Sequence, residues 1–182
     1  MESSGVSFMA VVSNVDEDEI KKTFGIQLKT VEDLAFELAR AKAGVVSQQF
    51  PYSYVLGADQ ILECDGCLYD KPKTREAARK QLLQLRGRTH RLVNGLCIVK
   101  EQQLQWSHLE VAELKMRSFS EDFLDRYLAD AGDTLLSTVG GYRLEDQGSQ
   151  LFDAIEGDYF SILGLPLLPL LSYLRQVHLL KS

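Results

Sequence analysis

The stretch Tyr54–Pro72, YVLGADQILECDGCLYDKP, decides the fold. Tyr54-Val55-Leu56 reads as a short buried strand, which Gly57 and Ala58 continue with small side chains. Asp59 follows at its end, and Ile61–Glu63 continues extended. Asp65-Gly66 is a strong two-residue hairpin signal. Cys67–Tyr69 then returns, and Asp70-Lys71-Pro72 ends the hairpin. Cys64 and Cys67 thus read as neighbouring strand residues bracketing a tight turn. The other reading, a metal or redox C-x-x-C pair, lacks a second pair of the same kind.

Working outward, Thr30 is a good helix cap with Asp33 three residues on, so a helix is predicted to about Val46. Leu34, Leu38, Ala41 and Val45 would form its apolar stripe, with Lys42 at the border. Thr74 caps a helix to about Leu85, with Ala78, Leu82 and Leu85 inward and Gly87 as the stop. His90–Val99 and Trp106–Met116 read as strands, and His90 as a polar strand-start residue. Ser118 or Ser120 caps a helix from Glu121 to about Ala129. A last helix starts after Leu165, with Pro166 in its first turn, and ends near Val177. Upstream, Val6–Val12 is apolar and β-branched enough for a strand. Irregular alternation of strands and helices predicts a mixed-sheet α/β protein.

The 182 residues are 45% apolar and carry a net charge of −6. That suits one domain with a real core. It argues against a general binder of nucleic acid polymers. Three cysteines do not make a disulfide scaffold. No run of 18 apolar residues exists, so no membrane partner is expected, and the cytoplasm is the expected compartment.

Polar islands set into these apolar stretches carry the chemistry. Asp59 follows two small residues and can project into a crevice, although a turn or cap role suits it too. Glu17 belongs to the acidic run Asp16–Glu19, which otherwise reads as a solvated face. Lys42 can lean along the core while its ammonium reaches a cleft, and Lys71 is restrained by Pro72. Either could equally be a surface lysine. Together, Glu17 and Asp59 would hold Mg²⁺ or Mn²⁺ and act on water, and Lys42 and Lys71 would offset phosphate charge. There is no GxxxxGK[ST], so a P-loop is excluded.

The segments VSNVDED, LARAKA, VLGADQIL, DGCLYDKP, LRGRTH, GGYRLED and IEGDYFSILGLPLLPLL occur in this order. They resemble the Maf-like nucleotide pyrophosphatases over nearly all of Val12 to Leu174. The resemblance implies an elongated α/β fold with a cleft between two lobes, related to the inosine triphosphate pyrophosphatases. It implies hydrolysis of nucleoside triphosphates between the α and β phosphates with a divalent cation, and often a homodimer. Asp59 then resembles the proton acceptor, and Glu17, Lys42 and Lys71 the other polar cleft residues. Gln60 and Glu145 fall where members differ by base preference. That pair is more like members acting on 7-methylguanosine triphosphate, although Ala58 stands where those often have serine.

Met1–Gly5 resembles only the end of the family's first helix. The resemblance therefore implies a single domain over residues 1–182, shortened at its N-terminus, without the first strand and arginine-rich loop. Arg40, Arg86, Arg88 and Arg143 are then the candidates to replace the lost arginines in phosphate binding, Arg143 first, although a surface arginine is its other reading. The alternative to an active enzyme is then a catalytically impaired nucleotide-binding protein.

Overall fold

The computed structural model describes residues 4–24 and 26–181. Its elements in chain order are α1 (Glu17–Lys22), α2 (Val31–Gln49), β1 (Val55–Cys64), β2 (Cys67–Tyr69), α3 (Arg75–Leu85) and β3 (Thr89–Lys100). There follow β4 (Gln103–Met116), α4 (Glu121–Ala131), β5 (Phe152–Glu156), α5 (Tyr159–Ile162) and α6 (Leu167–Gln176). The strands form one sheet in the order β2-β1-β3-β4-β5. Both outer pairings are antiparallel. This is the mixed α/β architecture expected from the sequence.

Local chemistry explains the boundaries. Thr30 accepts from the Asp33 backbone N–H, and Asp33 accepts from the Thr30 N–H, closing a capping box at the start of α2. Thr74 and Ser120 each cap their helix in the same way at one end. The hairpin between β1 and β2 turns through Asp65 and Gly66 at φ 50° and 79°, as a type I′ turn requires. Cys64 and Cys67 are register partners across it, and all three cysteines are free thiols.

Two compact units share these strands: Met1–Gln60 with Asn94–Glu110 and Gly164–Ser182, and Ile61–Val93 with Val111–Leu163. In the first unit, α2 lies against β1 and β3. Ala39, Ala43 and Val46 pack there with Val55, Cys97 and Val99. The opposite face of β3 sends Ile98 into Leu170, Tyr173 and Leu174 of α6, joined by Tyr54 and Leu56. The core of the second unit is built on Leu62, Ala78, Leu82, Leu85, Leu114, Leu124, Tyr127 and Tyr142.

Two expectations need correction. Val6–Val12 forms no strand, and Phe8, Met9, Val11 and Val12 are exposed. Strand propensity is realised only when backbone groups find a ladder partner, and the sheet order gives this segment none among the described residues. In α2, Leu34 and Leu38 are buried, but Ala41 is half-buried and Val45 exposed. The buried stripe instead runs through Ala35, Ala39 and Ala43. Small residues take that line because the helix comes very close to strand backbone: a Cβ on Gly57 would lie 2.1 Å from the Ala39 carbonyl oxygen. His90 does stand at the start of β3, as expected; it is fully buried and shares a hydrogen bond with the Tyr142 hydroxyl through Nε2 at 2.7 Å.

Candidate active site

The close approach at Gly57 builds the site. Side chains on a strand alternate between faces, so Gly57 and Asp59 both face α2. With no Cβ at 57, the helix settles onto β1 and sets Lys42 opposite Asp59. Asp59 thus lies in the middle of a ten-residue strand, not at its end as the sequence reading had it. The short strand read at Tyr54–Leu56 continues because β3 pairs alongside it. The third participant comes from the acidic run. Asp16 caps α1 by accepting from the Glu19 N–H, and Glu17 opens that helix.

The Lys42 ammonium joins them. Its Nζ lies 2.5 Å from Asp59 Oδ1 and 2.8 Å from Glu17 Oε1. Lys21 stands 3.9 Å from the other Glu17 oxygen. The Asp59 side chain is only 11% exposed, against 40% for Glu17. Burial raises the Asp59 carboxyl above its ordinary value, and the Lys42 charge offsets part of that rise. Burial opposes the Lys42 charge, but hydrogen bonds to Asp59 and Glu17 outweigh it and make Lys42 more basic than usual.

Lys42 also lines one end of a cavity of about 710 Å³, bounded by Val6–Val11, Tyr54–Ala58, Ile98 and Leu170. Its wall is largely apolar, and neither carboxylate lines it.

The other candidates are placed as follows. Gln60, next to Asp59, projects to the opposite face of β1 and donates from Nε2 to Asn94 Oδ1 at 3.1 Å. Lys71 is exposed, on a segment held by the buried Pro72. Arg143 donates to Glu145 at 2.9–3.0 Å and lies 3.3 Å from Asp146, so its charge is already compensated. Arg40 is paired with Glu37 and Arg88 with Asp65. Arg86 reaches the Phe119 carbonyl. Lys71, Arg143 and Glu145 belong to the second unit, whereas Glu17, Lys42, Asp59 and Gln60 share the first. The sequence reading did not single out Asn94, whose only signal was a polar residue inside the apolar run of β3.

The donor set suits a hard divalent cation. Magnesium-type ions take one or two carboxylates and complete their shell with water and phosphate oxygens. Glu17 and Asp59 meet on one ammonium and can supply those two carboxylates. Among the described residues, no group of three or more His, Cys, Asp or Glu could hold a metal. Two carboxylates leave most of such a shell to water or to ligand oxygens, and they do not make a closed structural metal site.

A family model described as Maf-like protein matches residues 1–177. The chain belongs to the Maf-like family. Among curated relatives, a Granulibacter bethesdensis protein named nucleoside triphosphate pyrophosphatase is 48% identical over 97% of this chain and 89% of its own length. A Paramagnetospirillum magneticum protein of the same name is 46% identical over 97% of this chain and 91% of its own. A Rhizobium johnstonii protein named 7-methyl-GTP pyrophosphatase is 43% identical over 97% of this chain and 89% of its own. The Maf-like chain has no helix, among its described residues, long and apolar enough to cross a membrane.

Proposed function

We propose that this Maf-like chain is a nucleoside triphosphate pyrophosphatase. It cuts the α–β phosphoanhydride, giving a nucleoside monophosphate and pyrophosphate. The observation that carries this reading is the Lys42 ammonium held between Glu17 and a largely buried Asp59 whose carboxyl is raised by desolvation. A carboxylate with a raised pKa is a better proton acceptor than an exposed one.

Asp59 orients the attacking water and accepts its proton. The water oxygen bonds to the α-phosphorus, the bridging α–β bond breaks, and the bridging oxygen leaves with pyrophosphate. Lys42 stays protonated, fixes Asp59, and offsets negative charge on the phosphates. Lys71 adds a second positive charge, and Arg143 a phosphate contact once it exchanges an acidic partner. Glu17 and Asp59 would hold Mg²⁺ or Mn²⁺, which supplies charge neutralisation on phosphate oxygens. Gln60 and Glu145 select the base.

A second reading narrows the substrate to 7-methyl-GTP. Relatives from Rhizobium johnstonii and Rhizobium etli bear that name. Gln60 and Glu145 can both accept from the N–H groups of a guanine-type base. A homodimer is carried over from the family resemblance. Three free thiols suit a reducing cytoplasm.

The test is pyrophosphate release with Mg²⁺ or Mn²⁺ across dTTP, UTP, GTP and 7-methyl-GTP. Asp59→Asn is expected to lower kcat by about 10²- to 10⁴-fold with the fold retained. An unchanged rate removes Asp59 from the chemistry. No release by the unaltered chain on any of these substrates leaves a nucleotide-binding protein without catalysis.

A further inference from the structure

Cys64 and Cys67 face each other as register partners across the hairpin between β1 and β2. Residues directly opposite on an antiparallel pair share one face of the sheet, with Cα atoms about 4.5–5.5 Å apart. A disulfide spans Cα separations of about 4.4–6.8 Å. The two sulfurs can therefore be joined without a change of register. The turn that brings them together is held at both of its residues. The Gly66 N–H donates to Glu63 Oε1 at 2.5 Å, and Arg88 Nη1 donates to Asp65 Oδ2 at 2.8 Å. Arg91 fixes Glu63 in turn, donating from Nε to its other oxygen at 2.9 Å.

The two thiols have unequal surroundings. Cys67 is exposed, so a solute reaches it first. Cys64 is 2% exposed, and its thiol donates to the Thr89 backbone carbonyl at 3.6 Å. Burial pushes that thiol above its ordinary value, which makes it a poor target for solutes. Cys97, the third free thiol, is wholly buried.

We propose that Cys67 and Cys64 form a reversible thiol–disulfide site for low-molecular-weight disulfides, with Cys67 as the attacking thiol and Cys64 as the resolving one. The Cys67 thiolate attacks one sulfur of a disulfide such as oxidised glutathione. That S–S bond breaks, one glutathione thiolate leaves, and a mixed disulfide forms on Cys67. Cys64 then gives up its proton to water and attacks the Cys67 sulfur. The mixed bond breaks and the second glutathione leaves. Two protein thiols are oxidised, and one external disulfide is reduced to two thiols. The second step is intramolecular, so it outpaces capture of the adduct by another solute. An excess of external thiol reverses both steps. The hairpin reading and the redox reading of this C-x-x-C thus coincide, because the turn itself sets the sulfurs side by side.

The experiment incubates the folded full chain with oxidised glutathione, then counts thiols and measures mass after denaturation. The count is expected to fall from three to one with no glutathione retained. Peptide mapping is expected to place the bridge between Cys64 and Cys67, and excess dithiothreitol to restore all three thiols. Cys64→Ser is expected to stop halfway, retaining one glutathione on Cys67. If that variant does not fold, Cys64→Ala, which suits an apolar site, is expected to retain the same adduct. Cys67→Ser is expected to react at least about tenfold more slowly than the unaltered chain, because its remaining thiols are buried. An unaltered chain that keeps glutathione on Cys67, bridges to a second chain, or keeps all three thiols overturns the inference. So does modification of Cys64 in Cys67→Ser at the unaltered rate. Neither thiol takes part in the chemistry proposed above, so the outcome is independent of pyrophosphate release.

Discussion

Asp59, largely buried, and His90, fully buried, are titratable groups on strands, and they have opposite surroundings. Asp59 meets a lysine that it shares with a second carboxylate. His90 meets a phenol, with Tyr142 and Phe152 rings packed on it. Its Nδ1 is buried without a hydrogen-bond partner among the described residues. Burial acts the same way on both, favouring the neutral form: it raises the Asp59 carboxyl and lowers His90 to about 4. The difference lies in what stands opposite. A charged neighbour keeps Asp59 able to exist as a carboxylate and exchange a proton, so burial there tunes a reactive group. His90 is met by a hydroxyl and aromatic rings in place of a charge, so burial there makes an inert wedge in an aromatic cluster.

The comparison breaks most sharply at Gly57. Gly57→Ala puts a Cβ about 2 Å from the Ala39 backbone, where neither helix nor strand can yield cheaply. It is expected to cost about 3 kcal/mol and to move Lys42 off Asp59, so activity falls with stability. Denaturant unfolding alongside pyrophosphate release checks this; a variant with native stability and rate would show that the helix–strand approach does not set the pair.

Acid tests the other region alone. The His90 pKa is lower in the folded than in the unfolded chain, so between about 6.5 and 4 the unfolded state binds more protons. Stability is therefore intact above that window and lost as pH falls through it, by up to about 3 kcal/mol. His90→Gln is expected to flatten this part of the curve, read as thermal midpoint against pH; an unchanged slope assigns the acid loss to carboxylates. The smallest effect is at the start of α2. Thr30→Ala loses the hydroxyl acceptor of the capping box and is expected to cost about 1 kcal/mol, leaving the Lys42 pair and turnover unchanged. A fall in turnover larger than the stability loss would mean that the helix start is coupled to the site.

What could be read from the sequence follows from where the information lies. The helices over 31–49, 75–85 and 121–131 announce themselves through Thr30, Thr74 and Ser120, because capping is a local interaction of a few residues. The Asp65-Gly66 turn is legible for the same reason. Strand status is not local, which is why Val6–Val12 was read wrongly and the length of β1 underestimated. The run of tight 3-10 turns between Gly132 and Leu151 has no periodic signature and went unread. At the site, the charged residues were legible by type. Their convergence on one ammonium depends on Gly57, whose importance shows only when the helix is laid against the strand. Asn94 was illegible because a polar residue in an apolar run has no meaning until its partners are known.

The alternation of β1 also separates two kinds of inheritance. Gly57 and Asp59 occupy one side of the ribbon, and Leu56 and Gln60 the other. Substitutions on the second side can drift without touching the proton-accepting side, since no side chain is common to both. Loss of a single residue between Gly57 and Asp59 would do the opposite, exchanging the two sides at one stroke. A change at Gln60 therefore reaches the substrate side without touching the proton acceptor, whereas a change in the length of this strand reaches both.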